Sequence, residues 1–281
     1  MHFVTRILQS KDPRASAGSA LLRSCQCTQA QLESADFQAW CILLREPTMH
    51  MNRKIWEYCY IAQALRERGM LAPGRRGLGF AVGQEPLPDL FASQGCEIIA
   101  TDLPTAQAEQ GGWVQTSQHA ESLDALAGRA ICDPALFRQR VHFRFMDMRQ
   151  LPDDIGEFDF IWSTCSLEHL GGIPQSEEFI YQSLKYLKPG GVAVHTTEFN
   201  VLSNNETLTA GPTVFFRRRD LQQIAAELRR RGHRITLDFA RGHMPYDRIV
   251  DVPPYRHDTH LSLLVGKYTI TSFGLIIEKA A

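Results

Sequence analysis

From Gly77 onward the chain alternates short apolar runs with amphipathic ones. The apolar runs are GLGFAV, CEIIATD, VHFRFMD, FDFIWST, GVAVHTTE, RITLDF and FGLIIEK. Between them, LPDLFAS, SEEFIYQSLKYL and RDLQQIAAELRRRG carry the helical pattern. Parallel strands need long crossovers, and helices supply them, so this alternation predicts an α/β fold built on a mostly parallel sheet. It excludes all-helical and β-sandwich architectures. A chain of 281 residues is long enough for one such domain with additions.

The additions are legible as breaks in the alternation. Residues 1–70 show no strand pattern. In NRKIWEYCYIAQALRERGM, Ile55, Cys59, Ala62 and Leu65 recur at helical spacing and Gly69 marks a stop. The spacing predicts a helical N-terminal cap over residues 1–70 and a main domain over 71–281, with Trp56, Tyr58 and Tyr60 as packing residues. Two stretches exceed a usual crossover and read as substrate-side insertions, about 104–140 and 241–260. The first offers Trp113, Gln118 and His119 behind a glycine pair, either as a movable lid or with Trp113 closing the small core under the insertion. The second brings Asp251, Tyr255, His257, Asp258 and His260 toward the same rim.

Thirty basic residues balance 31 acidic ones, for a net charge of −1. That argues against broad binding to nucleic acid or anionic lipid. The basic run in FFRRRD and ELRRRGHR reads as the solvated face of a helix. The opening MHFVTRILQSKDPRAS lacks a secretory apolar core, and no run approaches a membrane span. Seven scattered cysteines, an odd count, fit reduced thiols and a cytoplasmic chain. Cys25 and Cys27 have no matching second pair, so they make no zinc motif.

Open α/β sheets bind ligands beyond the carboxyl ends of their strands. The turn after the first strand is Ala81-Val82-Gly83-Gln84-Glu85, and Asp102 ends the second strand, where a carboxylate can take both hydroxyls of a ribose. The third strand ends in MDMRQLP, the fourth in STCSLEHLGG, and LKPGG precedes the fifth. In this order and spacing the motifs resemble the class I S-adenosylmethionine-dependent methyltransferase family, over roughly residues 70–281. The resemblance implies a Rossmann-like, seven-stranded, mostly parallel sheet with FGLIIEK as an antiparallel last strand. It implies S-adenosyl-L-methionine as cofactor. It also implies contacts from Phe80, Ala81, Val82 and Gly83 in the turn, Asp102 on the ribose, and Leu103 beside the adenine. Asp147 and Met148 would flank the base, and Ser163 and Thr164 would border the methionine moiety. One departure stands out. The family's acid two residues before the first turn glycine is Gly79 here, and Ala81 and Glu85 replace the first and third glycines. Glu85 is expected to supply the missing carboxylate.

A sulfonium methyl is already activated, so the protein must align the acceptor and exclude water; hydroxyl or carbon acceptors usually also need a base or a metal. His169, beside Glu168, either builds the cofactor wall or acts as base. His195 and Glu198, on opposite faces of the fifth strand, are expected to touch the acceptor. The catalytic candidates are therefore His195, Glu198 and His169. His195, Glu198 and His260 could offer nitrogen and oxygen ligands to a divalent metal, but their spacing matches no metal signature and no metal residue is assigned. The expected reaction is methyl transfer to a small molecule, with a sugar or glycoconjugate hydroxyl as first acceptor by family analogy. C- or N-methylation in secondary metabolism is the alternative. A nicotinamide-dependent oxidoreductase would also suit Asp102, but GFAVGQEP breaks the G-x-G-x-x-G pattern. A non-catalytic cofactor-binding protein is the third reading. The sequence leaves the oligomeric state open.

Overall fold

The computed structural model describes residues 21–281 apart from Ser117, Gly128 and His257. The readings of residues 1–20 and of His257 lie outside the described residues. Eight strands form the main sheet: β1 (Arg76–Phe80), β2 (Glu97–Asp102), β3 (Val141–Phe145), β4 (Phe158–Ser163), β5 (Leu187–Asn200), β6 (Val250–Asp251), β7 (Ser262–Val265) and β8 (Tyr268–Glu278). Their spatial order is β3-β2-β1-β4-β5-β8-β7-β6. β3 through β5 run parallel, and β8 runs antiparallel to both β5 and β7. All six residues of β4 are buried, which is why its sequence is a near-continuous apolar run. Strand order reverses between β1 and β4, opening a crevice at their carboxyl ends.

RITLDF does not join this sheet, contrary to the seven-strand expectation. Leu237–Asp238 pairs instead with Ser24–Cys25, in parallel. Gln26 bridges Phe273 of β8, and Ser24 Oγ accepts from Ile276 N at 2.9 Å. The N-terminal segment thus wedges between RITLDF and one half of β8. β7 takes the other half, through Tyr268–Thr271. A strand has only one outer edge, so RITLDF keeps a single bridge, Arg234 to Glu278.

Among the described residues, three helices precede the sheet: α1 (Gln29–Leu32), α2 (Ala35–Leu44) and α3 (Arg53–Glu67). Those that follow are α4 (Leu87–Ser93), α5 (Thr105–Gln110), α6 (Leu123–Leu126), α7 (Pro134–Arg140), α8 (Ile173–Ser183) and α9 (Arg218–Arg230). None is long and apolar enough to cross a membrane among the described residues. α3 is capped by Asn52, whose side chain accepts from Lys54 N, and lies against β5 and β8. Side chains alternate across the sheet. Phe160, Trp162, Val192 and Val194 face the core under α3 and α4, whereas Phe80, Ile161 and Ala193 face the core under α8 and α9. The same alternation sends Glu198 toward α3 and His195 toward α8, and this parity sets the site.

Candidate active site

A cavity of about 800 Å³ opens at the strand-order reversal. Its lining draws on the turn after β1, the ends of β2 and β3, the segment after β4, the first insertion and α3. Ala81 and Gly83 both sit in the left-handed region, at φ 47° and 52°. Only a tight turn of this kind brings the backbone N–H groups to the cavity. A side chain at Gly83 would also meet the carbonyl oxygen of Gln118 at 2.3 Å, so glycine lets the first insertion close over the turn.

Asp102 ties these pieces together. Its Oδ2 accepts from Gly83 N at 3.1 Å and Ala120 N at 2.9 Å, and its Oδ1 from Leu103 N at 2.8 Å. Burial pushes its pKa up, against the pull of those N–H groups and of His119. His119 Nε2 meets Leu103 O at 2.8 Å. Three of a carboxylate's roughly four lone-pair sites are used, which leaves one for a further donor.

The missing acid at Gly79 has a steric cause. A side chain there would lie 2.4 Å from the Trp162 ring. The indole fills the space an acid would need, and its Nε1 donates to Glu85 Oε1 at 2.6 Å. Glu85 thereby lines the cavity from the next turn. Burial pushes its pKa up to about 8.

Val82, Leu103, Met148 and Thr164 also line the cavity. Asp147 does too, but its carboxylate is held in a fork by Arg149, with Nε at 2.9 Å and NH2 at 2.8 Å. Burial works against the Asp147 charge, yet Arg149 outweighs it and keeps the pKa below the usual range. Phe80 and Ser163 do not reach the cavity. Phe80 packs edge-on against Phe179 with centroids 5.0 Å apart. Ser163 Oγ meets His195 Nδ1 at 2.8 Å on the same side of the sheet.

His195, expected at the acceptor rim, therefore lies fully buried under α8, its ring 5.8 Å from that of Phe179. Burial pushes its pKa down to about 3, leaving a neutral imidazole. Glu198 lies on the other face, paired with Arg53 NH2 at 2.7 Å under α3. His260 bonds Asp251 Oδ2 at 2.6 Å, and Thr259–His260 pairs with Met51–Asn52. Strand parity and these partners keep His195, Glu198 and His260 from forming one ligand set. Among the described residues, the second insertion contributes nothing to the cavity lining.

His169 does line the cavity. Its Nδ1 lies 2.9 Å from Pro212 O, and a carbonyl only accepts, so Nδ1 donates there and Nε2 is the ring nitrogen left to accept. Trp113 of the first insertion packs edge-on against this imidazole at 4.5 Å. α3 adds Lys54 and Tyr58 to the wall. Tyr58, expected as a packing residue, thus reaches the cavity, and sequence patterns do not single out Lys54 because α3 reads as an apolar packing helix. The available signal is their i,i+4 spacing, beside the Ile55–Cys59–Ala62 stripe.

Residues 78–195 match the model of a family described as a methyltransferase domain. With the strand-order crevice, the glycine turn and Asp102, this match identifies residues 78–195 as a methyltransferase domain of the S-adenosylmethionine-dependent kind that the motifs resemble. The nicotinamide reading is set aside. Among solved structures, the chain is similar to a putative sarcosine dimethylglycine methyltransferase from Galdieria sulphuraria. That likeness has 16% identity and a TM-score of 0.48, over 81% of this chain and 84% of the other. It is also similar to a glycopeptide N-methyltransferase complexed with sinefungin, at 14% identity and TM-score 0.48, over 82% and 87%. The CcbJ methyltransferase from Streptomyces caelestis follows at 14% and 0.43, over 76% and 92%. At such identities the acceptors of those proteins do not carry over. No curated protein matches the sequence.

Proposed function

We propose that the chain methylates a small-molecule acceptor whose proton is taken by His169 Nε2. The observation that carries this reading is the fixed tautomer of His169 on the cavity wall, with Nδ1–H committed to Pro212 O. The cofactor supplies a sulfonium-activated methyl group; the protein's part is to bind, orient and keep water out. Asp102 takes the ribose, and Leu103 and Met148 flank the adenine, with Asp147 held at its edge by Arg149. Glu85, fixed by Trp162, meets the cofactor's ammonium group. Thr164 borders the methionine chain. Ser163 and His195 support the floor from below, and Glu198 supports it from the α3 side.

Gln107, Gln110 and Gln118 of the first insertion, with Trp113, line the outer cavity. Amides both donate and accept, so this lining suits a polyhydroxylated acceptor such as a sugar or glycoconjugate. The balanced net charge and the cover from the insertion and α3 favour a small acceptor over a nucleic acid or protein. The test is transfer of labelled methyl to a panel of sugars, amines and carbon acids. Labelled sugar that disappears with His169→Ala supports the reading. Label on amines or carbon acids only would replace the acceptor class. Full activity of His169→Ala would remove the base.

A further inference from the structure

Beneath the cavity, between β5, β8 and α3, lies a charged cluster to which the methyl-transfer reading gives no chemistry. Glu57 and Glu168 are fully buried, and Glu198 nearly so. Glu168 and Glu198 are each anchored at one oxygen only. Thr197 Oγ1 donates to Glu168 Oε2 at 2.9 Å, and Arg53 NH2 pairs with Glu198 Oε1 at 2.7 Å. Their other oxygens, Glu168 Oε1 and Glu198 Oε2, are buried with no hydrogen-bond partner. His169 Nε2 stands 4.0 Å from Glu168 Oε1, beyond hydrogen-bond range. Native structures rarely leave buried carboxylate oxygens bare.

The charges in contact do not balance. Arg53 and Lys54 direct themselves to Glu57, at 3.3 and 3.4 Å, and Arg53 also serves Glu198. Glu168 has only a hydroxyl. Three carboxylates face two cations. Cys165 closes the cluster from the cavity side, with Sγ 3.0 Å from Glu57 Oε1. One ligand atom from each of Cys165, Glu168 and Glu198 lies within 4.8 Å of the other two.

We propose that Cys165, Glu168 and Glu198 hold a divalent metal ion of the zinc class. Binding would release the Cys165 thiol proton, now donated to Glu57 Oε1, to solvent; a dication on the resulting thiolate and the two carboxylates would bring the cluster, with Glu57, Arg53 and Lys54, to neutrality. Ligands about 2.0–2.3 Å from one ion stand at most about 4.5 Å apart, so small side-chain rotations close the set. Thr197 and Arg53 already orient the carboxylates from behind, as outer partners do in metal sites. A thiolate with carboxylates selects zinc or a similar transition ion over magnesium or calcium, which prefer all-oxygen sites. Cys165, on the cavity lining, gives the entry path. Three protein ligands leave a fourth position for water. The proposal does not depend on the acceptor or on His169.

The test is direct metal binding. The full chain, stripped with chelator, is dialysed against Zn²⁺ alone and, separately, Co²⁺ alone. The expected result is one equivalent of either ion and a thiolate-to-cobalt charge-transfer band. Cys165→Ser should abolish the band. Glu168→Gln, nearly isosteric, should weaken Zn²⁺ binding at least about tenfold. Cys41→Ser, a buried thiol outside the cluster, should change neither. Circular dichroism checks that each variant is folded; if Cys165→Ser is not, Glu168→Gln decides. Substoichiometric Zn²⁺ in the wild type, a band that survives in folded Cys165→Ser, or unchanged affinity in Glu168→Gln overturns the proposal.

Discussion

Replacing Glu85 with Gln keeps the side chain's shape and its hydrogen bond from Trp162 while removing its charge. In the free protein, burial holds the carboxyl up to about 8 from its ordinary 4.5. That difference corresponds to about 5 kcal/mol of penalty on the charged form. At pH 7, roughly 90% of Glu85 is therefore protonated before cofactor binds. If the cofactor's ammonium group settles beside it, ionisation becomes favourable and the proton leaves. A return to the ordinary carboxylate range would release about 0.9 proton per cofactor at pH 7 and raise affinity about tenfold per pH unit between roughly pH 5.5 and 7. Calorimetry of S-adenosylhomocysteine binding in buffers of different ionisation enthalpy reads both quantities. Asp102 is the other raised carboxylate in the cavity, so the variant makes the assignment: Glu85→Gln should bind without proton release and with a flat pH profile. The same release and slope in the variant would refute the role of Glu85. A flat wild-type profile would show that the turn works through backbone groups alone. The sign for folding is the opposite. A raised carboxyl pKa contributes stability that is full below about pH 4.5 and fades as pH rises through about 8.

His169→Ala should bind S-adenosylhomocysteine nearly as well as wild type and lose about 10²–10⁴ in turnover, the scale of a lost acid–base group; unchanged turnover counts against it. Asp102→Asn should weaken S-adenosylhomocysteine binding at least about tenfold, since a charge-assisted ribose bond is worth roughly 1.5–3 kcal/mol. Equal affinity in a folded Asp102→Asn would remove the ribose assignment. The depressed pKa of His195 means that its contribution is present above pH 6.5 and is lost as pH falls toward about 3. Urea unfolding should show wild type losing up to about 1.4 kcal/mol per pH unit across that window relative to His195→Asn; matching slopes would show that burial does not hold the imidazole neutral.

Much of the fold could be read from periodicity, because strands buried on both faces must be apolar along their length and crossover helices must be amphipathic. LPDLFAS is α4 residue for residue, and the reversal of FGLIIEK within β8 follows the family resemblance. The cavity wall at the turn was equally legible: a glycine turn and an acid at a strand end are local features, and Gly83, Glu85 and Asp102 all line the cavity. Competition for a shared edge was not legible. Nothing in RITLDF reveals that Ser24–Gln26 will take its place beside β8, because that outcome depends on a segment more than 200 residues away.

The sequence by itself determined the α/β class, the class of cofactor and the alternation that separates His195 from Glu198. Only the tertiary structure decided which face of β5 meets which core. It sent His195 under α8 and Glu198 against Arg53, and left His169 as the histidine on the cavity wall. It also explained the missing acid, because Gly79 and Trp162 are neighbours only across the β1–β4 pairing. Local patterns encode what a segment does with its own backbone and its solvent face. Which buried groups meet is set by strand order and parity, and these exist only once the sheet has formed.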